Sequence, residues 1–478
     1  MDFGAGFLHF KIIVTMKSSD ILIIGAGPGG YTTALHAAKK GLSVTIIGEG
    51  HAGGTCLNSG CIPTKALCRA AEIIDTIHKA STFGISTNGV SMDFAKVMER
   101  KDAVVSQLRN GVETLMKSPG ITYVKGHAAF IDKQTVEVTR ISAPNDKATT
   151  EKYQADNIII ATGAQPSQPH IKGITLPGVV TSTELLSAKT VPRQLCIIGA
   201  GSIGMEMASA FNAFGSQVYV MEYLKEAMPT MDSDIAKRLR QALARRGIVF
   251  NMQSEVKSIE KTGPDDNGSS TLRVSFRQKG TDKHVDTDMV LIATGRTPRV
   301  DGMRLERTGV AYDSKGIHTD SHFRTSVPGI YAIGDVNGLC MLAHAATAQG
   351  LHVINQITGT ADNIRFNVMP SAVFTIPEAA SVGDSEDLCK KENKQYACHK
   401  GFYRTNGKAA AMGETDGMVK LIATPDGRIS GCHALGAHAS DIVQEVTALI
   451  NNNATTANLV DIIHAHPTLS ETLHDLCL

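Results

Sequence analysis

Several absences narrow what this 478-residue chain can be. Tryptophan is missing and aromatic residues make up only 5% of the sequence, so aliphatic side chains and methionine must fill the cores. Neither sign of charge is in excess, because 47 lysines and arginines face 46 aspartates and glutamates. Composition therefore gives no argument for binding nucleic acid or an anionic membrane. No uninterrupted apolar run reaches about 18 residues, so no transmembrane helix is expected.

The nine cysteines are an odd number and lie scattered between Cys56 and Cys477. A secreted disulfide framework is denser and usually has an even count, so we expect the cytosol or an organelle matrix. Residues 1–15 include acidic Asp2 and no arginine, and they match neither a secretory signal nor a transit peptide. We interpret them as an upstream extension. This favours a bacterial cytoplasm, with the mitochondrial matrix as the alternative.

Two glycine-rich turns share one pattern. The apolar run Asp20–Ile24 enters the first turn, and a small-residue helix and the strand Leu42–Ile47 follow it. The run Leu195–Ile198, a second turn, another helix and the strand Gln217–Met221 repeat this order. In a G-x-G-x-x-G turn, glycines allow a tight bend and a close approach to a pyrophosphate at the helix N-terminus. Two such units predict two nucleotide-binding domains. The glycines are Gly25, Gly27, Gly30, Gly199, Gly201 and Gly204.

An acidic residue about twenty positions after such a turn binds the ribose of the cofactor. The second strand of the later unit ends in Glu222, which accepts a ribose 2′-hydroxyl and repels a 2′-phosphate, so this site should prefer NAD over NADP. The corresponding strand of the first unit ends in Gly48. Glu49 follows one place later and is the candidate ribose ligand there, although its register is off by one.

The stretch from Gly53 to Lys65 carries Cys56 and Cys61, five residues apart, just before a predicted helix over 65–77. Thiols at a helix N-terminus have a lowered pKa, and two of them bridged there form a reactive disulfide. The alternatives are half of a metal site or two buried cysteines. No second Cys/His pair lies at metal-ligand spacing, so no zinc or other metal site is expected. A redox disulfide is the favoured interpretation.

Other segments predict the elements around these motifs. Residues 91–117 read as a helix, the segments 121–130, 134–141 and 153–160 as strands, and 263–270 as a solvated hairpin loop. After about residue 359 the pattern becomes that of an α+β domain. Its predicted strands are Ala372–Thr375, Met418–Ala423 and Ile429–His433, and its predicted helices are Asp441–Asn451 and Thr456–His464.

From Ser19 to about Thr472 the chain resembles the FAD-dependent pyridine nucleotide–disulfide oxidoreductases, and among them the enzymes that oxidise dihydrolipoamide. The motifs that carry the resemblance occur in the order of the family. They are Gly25–Gly30, Gly53–Lys65, Ala161–Gly163, Gly199–Glu206, Ala293–Arg296, Ile330–Asp335, Met341–His344 and His464–Glu471.

The resemblance implies an α/β fold with two Rossmann-like dinucleotide-binding domains and a C-terminal α+β dimerisation domain. The expected boundaries are an FAD-binding domain over 1–163, with 1–15 as the extension, and an NAD-binding domain over 164–295. A central domain over 296–360 completes the FAD site, and an interface domain covers 361–478. The expected cofactors are FAD and NAD.

The resemblance also implies catalytic roles. Cys56 exchanges with the dithiol substrate and Cys61 faces the flavin, while Lys65 and Glu206 form an ion pair beside the flavin ring. His466 is the base, oriented by Glu471. Imidazole titrates in the range needed to take a thiol proton, and a carboxylate partner fixes its tautomer. In this family the base reaches the disulfide of the other subunit, which implies a homodimer.

Further residues are implied to line the cofactors. Those implied for FAD are Gly54, Thr55, Ala128, Thr162, Gly163, Asp335, Met341, Leu342, Ala343 and His344, together with Glu49 and Lys65. Those implied for NAD, besides the second glycine turn, are Glu206, Glu222, Val256 and Gly295.

Three positions depart from the family pattern: Gly48 stands where an acid is usual, Arg299 where asparagine is usual, and Ile376 where histidine is often found. Neighbouring activities fit less well. A glutathione-type reductase would carry arginines after the second nucleotide strand, where Glu222 and Tyr223 stand, and a mercuric reductase would carry a C-terminal cysteine pair. A catalytically silent flavoprotein subunit remains a separate hypothesis.

The expected partners are a second copy of the chain and lipoyl-bearing proteins of 2-oxo acid dehydrogenase complexes or the glycine cleavage system, with no nucleic acid and no membrane.

Overall fold

The structure is a computed structural model that describes residues 16–140, 149–264 and 270–478. The expected extension at 1–15 and the centre of the expected loop at 263–270 lie outside the described residues. The chain divides into two compact units, each assembled from three stretches. The first unit takes its described residues from 1–56, 108–164 and 297–362, and the second takes its residues from 57–107, 165–296 and 363–478.

The first unit is built on a sheet whose central strands are parallel. Lys17–Ile24 pairs in parallel with Val44–Gly48 on one side and with Thr149–Ile160 on the other. The central stretches of these strands, 21–24, 44–47 and 158–160, are buried and mostly apolar because a parallel sheet is covered on both faces. The remaining strands of the sheet are Ile121–Lys125, Thr135–Arg140, His127–Phe130 and Ile330–Ala332.

Two helices of the first unit pack against each other, Pro28–Lys39 and Ala343–Ile357. Their approach is close: a Cβ added at Gly350 would lie 1.7 Å from the Thr33 hydroxyl. Smaller elements are the antiparallel pair Tyr312–Asp313 and Gly316–Ile317 and the 3₁₀ turns Leu305–Arg307 and Gly334–Asn337. The helices Gly54–Ser59 and Phe94–Leu115 each contribute residues to both units.

The second unit contains a second parallel sheet. Its strand order is Val249–Met252, Gln217–Glu222, Gln194–Ile198, Met289–Ile292 and Val179–Val180. An antiparallel sheet of Ser254–Pro264, Ser270–Gln278 and Thr281–Thr287 follows. The helices that accompany these sheets are Cys61–Lys79, Ser182–Leu185, Ser202–Ala213 and Ser233–Arg245.

The C-terminal part of the second unit is an antiparallel sheet covered by helices. Its strands, in spatial order, are Ser371–Val373, Ala379–Gly383, Ile429–Leu435, Met418–Ala423 and Ala397–Phe402. The helices are Glu386–Lys391, Gly407–Met412, Ala439–Asn451, Thr456–Asp461 and Glu471–Asp475, with a 3₁₀ turn at Tyr403–Thr405; another 3₁₀ turn, Ala80–Phe83, follows the helix Cys61–Lys79. Their apolar faces share one core with the sheet, which includes Val419, Cys432, Ile442 and Val446.

The predicted α/β class, with two parallel dinucleotide-binding sheets and an α+β tail, is confirmed. Several predicted elements differ at their ends, and the strand predicted over 121–130 is two strands, Ile121–Lys125 and His127–Phe130. The helix expected over 65–77 begins earlier, at Cys61, because the Thr64 amide donates to the Gly60 carbonyl at 3.1 Å and closes the first turn there. The helix expected over Thr456–His464 ends at Asp461, because Ile462 is extended with ψ 120°. None of the described helices is long and apolar enough to cross a membrane. The predicted domain boundaries stay predictions.

Candidate active site

The first glycine turn is shaped for close approach. A Cβ added at Gly25 would lie 2.1 Å from the Ala161 carbonyl oxygen, and one at Gly30 would lie 1.9 Å from the Gly25 carbonyl oxygen. Gly54 has a φ of +57°, and a Cβ there would lie 2.5 Å from the Gly27 Cα. Gly27 in turn caps the helix Pro28–Lys39 without any side-chain hydrogen bond. The helix N-terminus therefore faces a bare backbone cradle, which fits a dinucleotide pyrophosphate.

The residue that ends the second strand of this unit is Gly48, and Glu49 follows it. Each carboxylate oxygen of Glu49 contacts one side chain. Arg299 donates Nη2–H to Oε2, and Oε1 pairs with Nδ1 of His127. Burial would raise the pKa of Glu49, but the bonds and charges of His127 and Arg299 outweigh it and hold that pKa below its usual range. Sequence reasoning missed His127, and it noted Arg299 only as a departure from the family pattern.

Thr162 and Gly163, which follow the strand Thr149–Ile160 of the first unit, are joined to Arg299 by two hydrogen bonds. The Thr162 hydroxyl donates to the Arg299 carbonyl at 2.7 Å, and the Arg299 amide donates to the Gly163 carbonyl at 2.9 Å. Ala128 lies buried on the strand His127–Phe130. The structure therefore places these predicted FAD-lining residues in the same unit as the first glycine turn.

Asp335 lies in the 3₁₀ turn Gly334–Asn337. Buried Gln349 holds this turn, because its Oε1 accepts the Gly334 amide at 2.7 Å and the Asn337 side-chain amide at 3.0 Å. Sequence reasoning missed Gln349, whose only signal was a polar residue on an apolar helix face. Met341 and Leu342 precede the helix Ala343–Ile357, and its second residue, His344, is exposed.

The second glycine turn repeats the geometry of the first. A Cβ at Gly199 would lie 2.4 Å from the Ala293 carbonyl oxygen, and one at Gly204 would lie 2.1 Å from the Gly199 carbonyl oxygen. Gly201 caps the helix Ser202–Ala213, and a Cβ built on it meets no described atom within 4 Å. Space for a ligand therefore opens at the N-terminus of this helix.

Glu222 ends its strand as predicted, and its carboxylate is turned toward this second turn. Oε2 accepts the Ala200 amide at 2.7 Å, and Oε1 accepts the Leu224 amide at 2.8 Å. A carboxylate has about four lone-pair positions, so acceptor capacity for a ribose hydroxyl remains. Of the other predicted NAD residues, Gly295 follows the strand Met289–Ile292 and accepts the Ser167 amide at 3.0 Å. Val256 lies on Ser254–Pro264, the first strand of the antiparallel sheet.

The cysteine pair lies on consecutive helical segments. Thr55 and Cys56 belong to Gly54–Ser59, where Cys56 is partly buried, and Cys61 is the exposed first residue of Cys61–Lys79. A position in the first turn exposes a thiol to the positive end of the helix dipole, which favours the thiolate that thiol–disulfide exchange needs.

Lys65 and Glu206 form the ion pair that was predicted. Lys65 Nζ lies 2.8 Å from both carboxylate oxygens, and the Phe374 amide donates to Glu206 Oε1 at 3.0 Å. The ammonium also lies 4.8 Å from the centre of the Phe374 ring, where a cation–π contact adds stabilisation. Burial opposes the charge on Lys65, but Glu206 outweighs it and raises the pKa of Lys65. The Phe374 contacts are a supporting feature that sequence reasoning missed.

His466 and Glu471 are also brought together as predicted. His466 Nδ1 lies 2.8 Å from Glu471 Oε1, and the Thr468 amide donates to Glu471 Oε2 at 2.7 Å. The Thr468 amide, followed by His466, lowers the pKa of Glu471, so the carboxylate stays ionised. The His466 side chain is 80% exposed, whereas that of His464 is only 7% exposed. His466 is therefore the histidine of this segment whose second ring nitrogen can reach a substrate.

Buried His464 anchors the segment that carries His466. Its Nδ1 lies 2.9 Å from the Ile462 carbonyl oxygen and its Nε2 lies 3.0 Å from Glu445 Oε1. Both partners are acceptors, so both ring nitrogens are occupied. Across residues 16–140, 149–264 and 270–478, no three His, Cys, Asp or Glu side chains are grouped to hold a metal ion.

Two models of protein families match the chain. "Pyridine nucleotide-disulphide oxidoreductase" covers residues 19–350, and the dimerisation domain of the same group covers residues 369–477. The chain belongs to the pyridine nucleotide–disulfide oxidoreductase family. As a member it is a flavoprotein disulfide oxidoreductase that uses FAD and NAD(H), and its dimerisation domain supports a homodimer. The backbone cradle of the first turn fits FAD, and the second turn with Glu222 fits NAD.

Relatives are similar over nearly their whole length. A dihydrolipoyl dehydrogenase of Chlamydia muridarum is 39% identical over 461 residues, which cover 95% of both chains. The dihydrolipoyl dehydrogenase of Bacillus subtilis is 38% identical over 457 residues, covering 95% of this chain and 94% of that protein. Among solved structures, the Cu(II) complex of the HOCl-induced flavoprotein disulfide reductase RclA from Escherichia coli has a TM-score of 0.84. It is 29% identical and covers 97% of this chain and 99% of its own.

Proposed function

We propose that the chain oxidises dihydrolipoamide to lipoamide with NAD⁺ as the acceptor. The observation that carries the proposal is the exposed imidazole of His466, paired at 2.8 Å with Glu471. A dithiol substrate must lose a proton before it can attack a disulfide, and an oriented imidazole is suited to take it. The dihydrolipoyl dehydrogenases among the relatives support the choice of this dithiol.

In the proposed reaction His466 takes the proton of one substrate thiol through the ring nitrogen opposite Glu471. The thiolate attacks the Cys56 sulfur of a Cys56–Cys61 disulfide, and the bond to Cys61 breaks with the electron pair on the Cys61 sulfur. The second substrate thiol attacks the substrate sulfur of the mixed disulfide, and its proton passes by way of His466 to the departing Cys56 sulfur. Cys56 then leaves as a thiol, and the substrate leaves as a cyclic disulfide.

Bound FAD supplies a carrier for the two electrons between the reduced cysteine pair and NAD⁺. The residues that would hold it are those of the first glycine turn, Gly54, Thr55, Ala128, Thr162, Gly163, Asp335 and Met341–His344. Lys65, fixed by Glu206, keeps a positive charge one turn after Cys61 on the same helix, which stabilises a thiolate at Cys61. NAD⁺ would lie on the second turn with Glu222 at its ribose, and Glu206, Val256 and Gly295 nearby.

We also infer the finer organisation. The FAD-binding, NAD-binding, central and interface domains would cover residues 1–163, 164–295, 296–360 and 361–478. In a homodimer, His466 would act on the cysteine pair of the other subunit. The physiological dithiol would be a lipoyl arm of a 2-oxo acid dehydrogenase complex or of the glycine cleavage system.

The test is NADH formation by the FAD-loaded protein with dihydrolipoamide, with NAD⁺ and NADP⁺ offered in parallel. We expect rapid turnover with NAD⁺ and little with NADP⁺. A Cys61→Ser variant should keep FAD and lose this turnover, whereas Cys398→Ser, at a cysteine outside the predicted site, should retain it. The absence of turnover with either nucleotide, despite bound flavin, would reject dihydrolipoamide as the substrate.

A further inference from the structure

The two nucleotide turns can be aligned by their own hydrogen bonds. The Gly25 amide donates to the Ile47 carbonyl at 2.7 Å, and the Gly199 amide donates to the Met221 carbonyl at 2.8 Å. The residue after each acceptor is therefore the same position in the two units. That position is Glu222 in the second unit and Gly48 in the first.

Gly48 has no side chain, so position 48 supplies no carboxylate in the first unit. A Cβ built on Gly48 would lie 2.8 Å from the Ala26 Cβ, a distance that real Cβ atoms do not show. A side chain here would require the turn and the strand to lie farther apart, whereas in the second unit the equivalent residues Ala200 and Glu222 both carry side chains. The acid that a dinucleotide ribose needs must come from elsewhere at this strand end.

The nearest acid in the chain is Glu49, and the first unit holds it in place. Arg299 Nη2 and His127 Nδ1 each contact one of its carboxylate oxygens. His127 Nε2 also lies 3.1 Å from the Gly302 carbonyl oxygen. Both ring nitrogens of His127 therefore have a partner within contact distance, which restricts the rotation of the ring.

Two side chains contact the Glu49 carboxylate and fix its direction, but they do not use all of its acceptor capacity. Each oxygen of Glu49 keeps further lone-pair capacity, and the side chain is 38% exposed. An ion pair between Glu49 and an exposed guanidinium alone would be weak, because solvent and salt screen the attraction between the two charges. Here the second partner, itself tied to Gly302, restricts the carboxylate further. Two of the three departures from the family pattern, at positions 48 and 299, thus lie in one cluster.

We propose that Glu49 is the acid that binds the adenosine ribose of FAD, displaced by one residue from the strand end, and that Arg299 and His127 are its positioning residues. This inference rests on the proposed FAD site. It assigns roles to His127 and Arg299 that neither the glycine motif nor the cysteine motif indicates. An ionised carboxylate accepts a ribose hydroxyl proton in a charge-assisted hydrogen bond.

The test compares FAD with an analogue whose adenosine carries 2′-deoxyribose. The full-length apoprotein is titrated with each flavin, and the dissociation constant is read from flavin fluorescence. We expect the wild type to bind the analogue about tenfold more weakly, since a hydrogen bond to a charged group is lost. Glu49→Gln should bind both flavins equally. Arg299→Asn and His127→Gln, which keep Glu49, should lose most of the discrimination.

The matched control is Glu137→Gln, which removes another carboxylate of the same unit, paired with Arg304 at 3.2 Å. It should discriminate between the flavins as the wild type does. Discrimination that persists in Glu49→Gln, or is absent from a wild type that binds FAD, would overturn the assignment of Glu49. A wild-type apoprotein that binds neither flavin would instead overturn the proposed FAD site, and the inference with it.

Discussion

Removal of the Glu206 carboxylate tests how much the ion pair with Lys65 stabilises the second unit. The side chains are 33% and 6% exposed, so the pair lies between the surface and the interior. At an effective dielectric constant of about 20, charges about 4 Å apart attract by roughly 4 kcal/mol. Partial exposure of Lys65 and desolvation of Glu206 reduce this. We therefore expect Glu206→Gln to lower the free energy of unfolding by about 2 kcal/mol.

Glu206→Ala should cost more, about 3–4 kcal/mol, because the Phe374 amide also loses its acceptor. The assay is urea unfolding followed by far-UV circular dichroism, with the midpoint expected to fall and the slope to stay constant. Glu72→Gln is the matched control, since Glu72 pairs with Arg69 on the same helix as Lys65. That pair is 65% and 40% exposed and should contribute at most about 0.5 kcal/mol.

A double-mutant cycle isolates the pair itself. In a Lys65→Met background, Glu206→Gln should cost about 2 kcal/mol less than in the wild type, since no cation is left unpaired. The reasoning is refuted if Glu206→Gln costs the same in both backgrounds, or no more than Glu72→Gln.

Three further outcomes are expected. His466→Gln should lower kcat for dihydrolipoamide oxidation by about 10²–10⁴, and Glu471→Gln by less; near-normal rates for His466→Gln would remove it as the base. Glu222→Gln should raise the KM for NAD⁺ about tenfold and reduce the preference over NADP⁺, and an unchanged ratio of the two kcat/KM values would contradict the ribose assignment. Hydrogen bonds from Lys390 and Lys420 lower the pKa of Glu386 to about 2. Its stabilisation, about 2–3 kcal/mol, should be complete above pH 4.5 and lost as the pH falls through about 2. The difference in unfolding free energy between wild type and Glu386→Gln should therefore shrink over that window, and a constant difference would contradict the shift.

Features written in short stretches of sequence were predicted well. The two glycine turns and the strand that ends in Glu222 depend on neighbouring residues, so their geometry follows from local backbone chemistry. His466 and Glu471 are five positions apart, and the start of a helix brings them together. Element ends were predicted less well, because capping bonds decide them. The helix that begins at Cys61, four residues earlier than expected, is the clearest case.

The sequence by itself determined the α/β class, the repeated nucleotide units and the candidate chemistry of the cysteine and histidine motifs. Apart from the ion pair of Lys65 and Glu206, only the tertiary structure decided which side chains far apart in the chain form ion pairs and hydrogen bonds at the site. It showed that Arg299 and His127 hold Glu49, and that Gln349 fixes the turn of Asp335. The reason is physical: local patterns fix the backbone, whereas a pair between residues far apart in the chain depends on how the elements pack.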